Sequence, residues 1–172
     1  KITNGIKVKV TDFPKRCEKS VLHKAKASGN YLYSMLALKD ALNSGFDEAL
    51  ILDIDNNVNE GSGENFFMVD KTTLYTPKDH TVLNGITRQT IIDIADDLGL
   101  NVHERDISVD DVKSADEAFF TGTAAEVTPI VQIDESKING GIPGKITKKI
   151  QDEYFDLIRG KNMKYDHWLT RV

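Results

Sequence analysis

The segments Lys24-Ala25-Lys26-Ala27-Ser28-Gly29-Asn30-Tyr31-Leu32 and Glu60-Gly61-Ser62-Gly63-Glu64 are the most informative part of the chain. The first sets lysine among small residues, with a tyrosine five positions after Lys26. A deprotonated lysine amine forms Schiff bases with aldehydes, and the small neighbours leave room for a ring against the backbone. In the second segment, glycines permit the close backbone approach that a loop under a flat ligand needs. Together they predict a site for a flat ring that carries an aldehyde.

Each of these residues also has an ordinary structural explanation. A lysine taken alone is nearly always a solvated surface charge, and a Glu-Gly pair is more often a solvated acidic turn. Lys24 lies two residues from Lys26, on the same face of an extended segment, and competes with it as the reactive amine. The loop at 60–64 follows an apolar strand and precedes Phe66-Phe67, which favours a position tied to the core.

Two further segments are suited to bind an anion. The stretch at 83–88, Leu-Asn-Gly-Ile-Thr-Arg, runs into a helix whose free N-terminal amides, dipole and Thr87 hydroxyl favour a phosphate. The stretch at 122–125, Gly-Thr-Ala-Ala, follows a strand. Successive small residues in a turn can direct several amides at one anion, either a phosphate or a substrate carboxylate. The alternatives are an ordinary helix cap and a tight turn between strands.

Composition narrows the class of protein. The 172 residues, 40% hydrophobic and 28% charged, suit one domain or a compact pair with a real core. A net charge of -5 argues against nucleic-acid binding, and no apolar run approaches membrane-spanning length. The single cysteine, Cys17, excludes an intrachain disulfide and indicates a reducing compartment. The four histidines show no metal-ligand spacing with one another or with Cys17.

The pattern of apolar residues predicts an α/β domain with a mixed sheet. Strands are expected at about residues 6–12, 48–53, 65–70, 73–76, 101–107, 117–120 and 127–133, with a hairpin between the third and the fourth. Helices are expected at 31–44, 87–98 and 146–158, and a short helix opens through a cap at Ser108. In the first helix, one apolar side is formed by Leu32, Met35, Leu36 and Leu42.

Four motifs occur together in the order and approximate spacing of one known family. They are Lys-Ala-Ser-Gly-Asn-Tyr at 26–31, Glu-Gly-Ser-Gly-Glu-Asn at 60–65, Leu-Asn-Gly-Ile-Thr-Arg at 83–88 and Gly-Thr-Ala-Ala-Glu-Val-Thr-Pro at 122–129. From about Val8 onward the chain therefore resembles a fold-type IV (class IV) aminotransferase of the branched-chain amino acid kind, which depends on pyridoxal phosphate (PLP).

The resemblance implies that residues 1–172 are the C-terminal cofactor-binding domain, with the smaller N-terminal domain absent. The implied fold is a mixed sheet that forms a pseudo-barrel with surrounding helices. The chain opens at Lys1 with a strand-like alternation already in progress, which also suggests a piece of a longer protein. Loss of an initiator methionine is the simpler alternative.

The resemblance also implies a role for each matched residue. Lys26, preferred over Lys24 by its spacing to Tyr31, forms the Schiff base with PLP and moves the proton between substrate and cofactor. The other implied cofactor contacts are Tyr31 to the phenolate oxygen, Glu60 to the pyridine nitrogen, Leu83 against the ring, and Ile86, Thr87 and Thr123 to the phosphate. The amides of Thr123 and Ala124 also meet the substrate carboxylate, and Glu64 has a supporting role. No residue is expected to bind a metal.

The implied activity is transamination, in which leucine, isoleucine or valine reacts with 2-oxoglutarate to give a 2-oxo acid and glutamate. The enzyme is expected to be cytoplasmic, and a homodimer or larger homo-oligomer at full length, with the domain alone weakly active or inactive. A D-amino-acid aminotransferase or an aminodeoxychorismate lyase-like enzyme is the alternative within the class. A non-catalytic cofactor-binding or dimerisation domain is the alternative outside it.

Overall fold

One mixed sheet of nine strands organises the computed structural model, which describes residues 1–13, 24–80 and 82–170. The strands are β1 (Ile6–Val10), β2 (Glu48–Leu52), β3 (Val58–Glu60), β4 (Asn65–Asp70), β5 (Thr73–Thr76), β6 (Asn101–Glu104), β7 (Glu117–Gly122), β8 (Glu126–Ile133) and β9 (Ser136–Lys137). The helices are α1 (Tyr31–Asn43), α2 (Ile86–Asp97), α3 (Val109–Lys113) and α4 (Lys145–Ile158). Cys17 lies outside the described residues.

Six strands close on themselves. The order β3-β2-β1-β8-β7-β4 returns to its start because β3 also pairs with β4. β5 and β6 extend the sheet from β4, and β9 pairs with β8. The β1–β2, β1–β8 and β5–β6 pairs are parallel and the others are antiparallel. This closed mixed sheet with helices around it confirms the predicted α/β pseudo-barrel.

Both faces of the central strands are buried, because alternate side chains of a strand point to opposite sides of the sheet. In β4, Phe66 and Met68 join a cluster shared by the strands of the ring. Phe67 and Val69 face the opposite way, into a cluster with α2 and α4. The same strand therefore holds the barrel together and carries the two longer helices on its outer side.

The apolar side of α1 is not the side that packs on the sheet. The helix contacts β2 through small residues, Ala37 and Ala41 against Ala49 and Ile51. The apolar stripe of α1 points outward instead, with 49–66% of each side chain exposed: Leu32, Met35, Leu36 and Leu42. Small residues let the helix approach the strand closely, and the large apolar side chains are left on the surface.

The other helices agree with the prediction within one residue. α2 begins at Ile86 rather than Thr87, with Gly85 as its N-cap. α3 has the expected Ser108–Asp111 capping box. The expected hairpin joins β4 to β5, while β1 and β6 are shorter than predicted and β3 and β9 were not predicted. In the described ranges, no helix is long and apolar enough to cross a membrane.

Candidate active site

A cavity of about 590 Å³ opens where four segments of the chain meet. They are the loop that enters α1, the β3–β4 loop, the turn before α2 and the end of β7. All eight residues that the sequence predicted for the site line this cavity: Lys26, Tyr31, Glu60, Leu83, Ile86, Thr87, Thr123 and Ala124. The structure thus brings together positions that are up to 98 residues apart in the chain.

Strand pairing explains why these segments are neighbours. Asn65, the first residue of β4, pairs with Glu60 of β3 on one side and with Thr121 of β7 on the other. The glycine-rich loop joins Glu60 to Asn65, and its ends are closed by a hydrogen bond from the Gly61 amide to the Glu64 carbonyl at 2.7 Å. The glycine-rich loop with its two glutamates (residues 60–64, here called the carboxylate loop) and the small-residue turn after β7 therefore open into the same cavity.

Lys26 and Lys24 have different partners at this cavity. The Lys26 Nζ donates a hydrogen bond to the Tyr31 hydroxyl at 3.1 Å. The Lys24 Nζ lies 3.3 Å from a carboxylate oxygen of Asp79 and forms an ion pair with it. The Lys24 amine is thus paired with a carboxylate, whereas the Lys26 amine contacts the Tyr31 hydroxyl. This geometry favours Lys26 as the reactive amine.

Glu60 hydrogen-bonds Leu83, the residue that the sequence predicted to pack on the cofactor ring. Its Oε2 accepts a hydrogen bond from the Leu83 amide at 3.2 Å. This contact fixes the carboxylate beside the turn that leads into α2. A carboxylate held in this way can pair with a cationic nitrogen of a ligand through a charge-assisted hydrogen bond.

The carboxyl of Glu64, which lines the cavity, has a raised pKa. Burial raises the pKa of its carboxyl to about 7, the nearby Glu48 adds to the rise, and a hydrogen bond from the Gly63 amide partly offsets it. That bond is 2.9 Å long. Glu48 accepts hydrogen bonds from the amides of Ala49 and Ser62. One wall of the cavity is therefore acidic and favours a cationic group.

In contrast to the acidic wall, the N-terminus of α2 carries positive partial charge. Its N-cap, Gly85, offers no side chain, and the first turn contains no acidic residue. The first backbone amides of the helix accordingly face the cavity together with the positive end of the helix dipole. Thr87, which is buried, hydrogen-bonds the Tyr154 side chain of α4. This end of the cavity is suited to an anion such as a phosphate.

Sequence reasoning gave no role to several polar residues of the cavity, of which Thr121 and Asn65 lie at strand ends. The Thr121 hydroxyl is fully buried and has no hydrogen-bond partner among the described residues. The Asn65 amide donates to the Leu83 carbonyl at 2.8 Å. Asn65 opens a predicted strand and Thr121 directly follows one, and only the pairing of β4 with β7 shows that both lie at the site. No cluster of three or more His, Cys, Asp or Glu in the described ranges is arranged to hold a metal.

The closed mixed barrel and its cavity define the class, a fold-type IV cofactor-binding domain. The chain belongs to the class IV aminotransferases: the family described as "Amino-transferase class IV" matches residues 2–133. The branched-chain-amino-acid aminotransferase of Pseudomonas aeruginosa is 46% identical over 99% of this chain and 56% of its own length. The probable branched-chain-amino-acid aminotransferase of Aquifex aeolicus is 43% identical over 99% of this chain and 55% of its own. The chain thus spans about half the length of these relatives.

Solved structures agree with this relationship. The branched-chain aminotransferase of Thermoproteus uzoniensis with norvaline has a TM-score of 0.94 at 42% identity, covering 99% of this chain and 56% of that one. The branched-chain amino acid aminotransferase of Thermobaculum terrenum in its PLP form has a TM-score of 0.93 at 38% identity, covering 96% and 55%. At these identities the likeness extends to the sequence as well as the fold.

Proposed function

We propose that this chain is the cofactor-binding part of a branched-chain amino acid aminotransferase. The enzyme would transfer the amino group of leucine, isoleucine or valine to 2-oxoglutarate. The observation that carries the proposal is the single cavity in which Lys26, Tyr31 and Glu60 meet the N-terminus of α2. The names of the relatives in Pseudomonas aeruginosa and Aquifex aeolicus support the substrate class.

The chemistry of the cavity fits pyridoxal phosphate. Its acidic wall suits a protonated ring nitrogen, with Glu60 as the partner. The uncapped N-terminus of α2 suits the phosphate, with the Ile86 amide and the Thr87 hydroxyl as donors. The buried Thr121 hydroxyl has no hydrogen-bond partner among the described residues, and a polar atom of the cofactor would supply one. Thr123 would also bind the phosphate, and the amides of Thr123 and Ala124, which line the cavity, would bind the carboxylate of the substrate.

When bound, pyridoxal phosphate supplies an aldehyde that condenses with amines and a ring that takes up the electrons of a broken bond at Cα. Lys26 Nζ would be the amine that condenses with the aldehyde, with loss of water. Once displaced by an incoming amino acid, the Lys26 amine would accept the proton from the substrate Cα and return it to cofactor C4′. Tyr31 orients the lysine amine through their 3.1 Å hydrogen bond and offers its proton to the phenolate oxygen of the ring.

Glu60 would remain ionised against the ring nitrogen and keep that nitrogen protonated, and Leu83 would hold the ring flat above the cavity wall. Water would release the donor as its 2-oxo acid while the amino group stays on the cofactor. 2-Oxoglutarate would then take up that amino group, with loss of water, and leave as glutamate. Donor and acceptor therefore use the same site in turn, in a ping-pong scheme.

We place further phosphate and substrate contacts, including a phosphate-binding arginine, in sequence beyond these 172 residues, since the relatives are nearly twice as long. The chain by itself is expected to be weakly active or inactive, because positioning groups are missing. We further propose a cytoplasmic homodimer or larger homo-oligomer. The exposed apolar stripe of α1, of which Leu32 and Met35 are the most exposed members, supports a partner surface on this helix.

The test is a donor assay on the complete gene product that contains these residues. We expect glutamate to form from 2-oxoglutarate with L-leucine, L-isoleucine and L-valine, and not with D-alanine. Glutamate formed from D-alanine alone would assign a D-amino-acid aminotransferase, and pyruvate released from aminodeoxychorismate would assign a lyase. If none of these reactions occurs and no PLP is retained, the domain is non-catalytic and the proposal fails.

A further inference from the structure

Asn65 occupies the point at which three segments of the site meet. It is buried at the start of β4, and its backbone pairs with Glu60 on one neighbouring strand and with Thr121 on the other. Its side chain lines the cavity with the turn that precedes α2. A single residue is therefore in contact with the carboxylate loop, the end of β7 and the approach to the helix.

The two ends of the Asn65 amide meet two residues of that turn. The Nδ2 donates a 2.8 Å hydrogen bond to the Leu83 carbonyl. The Oδ1 lies beside Gly85, and a Cβ added to this glycine would lie closer than 3.0 Å to the Asn65 Oδ1 and overlap it. Gly85 has φ -70° and ψ 139°, a conformation open to every residue. The glycine is therefore required by the contact with Asn65 and not by its backbone angles.

Leu83 is held from both sides. Its carbonyl accepts from Asn65, and its amide donates to Glu60 Oε2 at 3.2 Å. Because Glu60 and Asn65 are themselves paired across β3 and β4, the three residues form a closed ring of contacts. A shift of the Asn65 side chain must move the Leu83–Gly85 turn, and with it the N-cap of α2.

We propose that Asn65 is a positioning residue that sets the Leu83–Gly85 turn relative to the Glu60 carboxylate, an inference that rests on the proposed function of the cavity. Through this turn, one buried amide aligns three contacts of the cofactor: the leucine against the ring, the glutamate at the ring nitrogen and the first amides of α2 at the phosphate. Asn65 itself touches none of the reacting atoms.

The test compares Asn65→Ala with Thr76→Val in the complete gene product. Thr76 is also fully buried and donates a 2.7 Å hydrogen bond to a backbone carbonyl of β4, at Phe66, but it does not line the cavity. Both variants lose a buried hydrogen bond and are expected to lower the unfolding temperature of the cofactor-free protein similarly. Only Asn65→Ala is expected to raise the dissociation constant of PLP, by about tenfold or more. Equal dissociation constants for the two variants would overturn the proposal.

Gly85→Ala completes a double-mutant cycle, in which coupled residues show non-additive effects. The added methyl overlaps Asn65 Oδ1, so this variant alone is expected to weaken PLP binding about tenfold. In the Asn65→Ala background the overlap is gone, since the next contact, Arg88 Cβ, is at an ordinary 3.7 Å. There the further loss should be less than about threefold. An equal loss in both backgrounds contradicts the assigned contact.

Hydrogen exchange in the cofactor-free protein separates this inference from the proposed function. Asn65→Ala should speed amide exchange in the segment 82–88, and Thr76→Val should leave it unchanged. If the wild-type protein binds no PLP, the proposed function fails, and the exchange result still decides whether Asn65 positions the turn. Unchanged exchange in Asn65→Ala would reject the positioning role.

Discussion

The Lys26 amine donates a 3.1 Å hydrogen bond to the hydroxyl of Tyr31, five residues further along the chain. The 3₁₀ turn Ser28–Asn30 lies between them and leads directly into α1, whose first residue is Tyr31. The short turn returns the chain on itself, so that the amine and the phenol meet at the rim of the cavity. This geometry separates Lys26 from Lys24, which is paired with Asp79.

Borohydride reduction should therefore trap PLP on Lys26 and not on Lys24. In Lys26→Ala we expect no covalent adduct, because Lys24, the other lysine that lines the cavity, is engaged in an ion pair with Asp79. Lys24→Ala should retain the full adduct. Peptide mass mapping after reduction measures both, and an adduct that disappears with Lys24→Ala would reverse the assignment.

Glu60→Gln should keep the cofactor but slow proton transfer at the substrate Cα. The amide still accepts from the Leu83 N–H, whereas the negative charge opposite the ring nitrogen is lost, and the loss of that charge should cost about 100-fold or more in rate. Single-turnover kinetics with L-leucine in the complete gene product measure it. Glu135→Gln, an exposed carboxyl outside the cavity, is the matched control, and similar rates for the two variants would remove Glu60 from this role.

Glu64 should make the stability of the cofactor-free protein depend on pH. Burial raises its pKa from 4.5 to about 7 in the folded state, so the folded protein binds the proton more tightly than the unfolded chain. The stabilisation is complete below about pH 4.5 and is lost as the pH rises through about 7. It amounts to at most about 3 kcal/mol.

Glu64→Gln should flatten this dependence, because the amide carries no ionisable proton and can still accept from the Gly63 amide. Urea unfolding at several pH values gives the free energy of unfolding for both proteins. The variant should be the more stable one above pH 7. A slope that is unchanged by the substitution would show that another group titrates there.

Local motifs made the site predictable, whereas the long-range pairings did not follow from them. The spacing of Lys26 to Tyr31 and the glycines around Glu64 are encoded within a few residues, and these positions do line the cavity. The closure of the barrel depends on β3 pairing with both β2 and β4, and β3 has only three residues. No sequence pattern of that length specifies two partners.

The same limit explains why the packed side of α1 and the position of Asn65 could not be read from the sequence. Helical periodicity identified the apolar stripe, but the face that packs is chosen by the small residues Ala37 and Ala41 against β2. The contact between Asn65 and Gly85 depends on the register of β4 and on a turn 20 residues away. In both cases the deciding partner lies on another element.

The exposed stripe of α1 should mediate self-association. Leu32 and Met35 are 66% and 64% exposed, so Leu32→Gln with Met35→Gln should leave the fold of the chain intact. The same pair should shift the complete gene product from dimer toward monomer, because burial of two such side chains contributes about 3 kcal/mol or more. Sedimentation velocity measures the shift. Ile158→Gln, on α4 and 41% exposed, is the control, and an unchanged dimer in the α1 variant would exclude this face as the interface.

Thr87 should recognise the phosphate of the cofactor and not its ring. Its hydroxyl lies in the first turn of α2, at the uncapped end of the helix. Thr87→Val removes a donor to a charged group, which costs about 1.5–3 kcal/mol. It should therefore weaken PLP binding by about 10- to 100-fold while leaving pyridoxal, which lacks the phosphate, nearly unaffected. The control is Thr90→Val, one turn further along, whose hydroxyl donates to the Ile86 carbonyl. Fluorescence titration of both ligands gives the ratio of their dissociation constants. The ratio in question is the dissociation constant of pyridoxal divided by that of PLP. If this ratio falls equally in Thr87→Val and Thr90→Val, the substitutions disturb the helix rather than the phosphate contact.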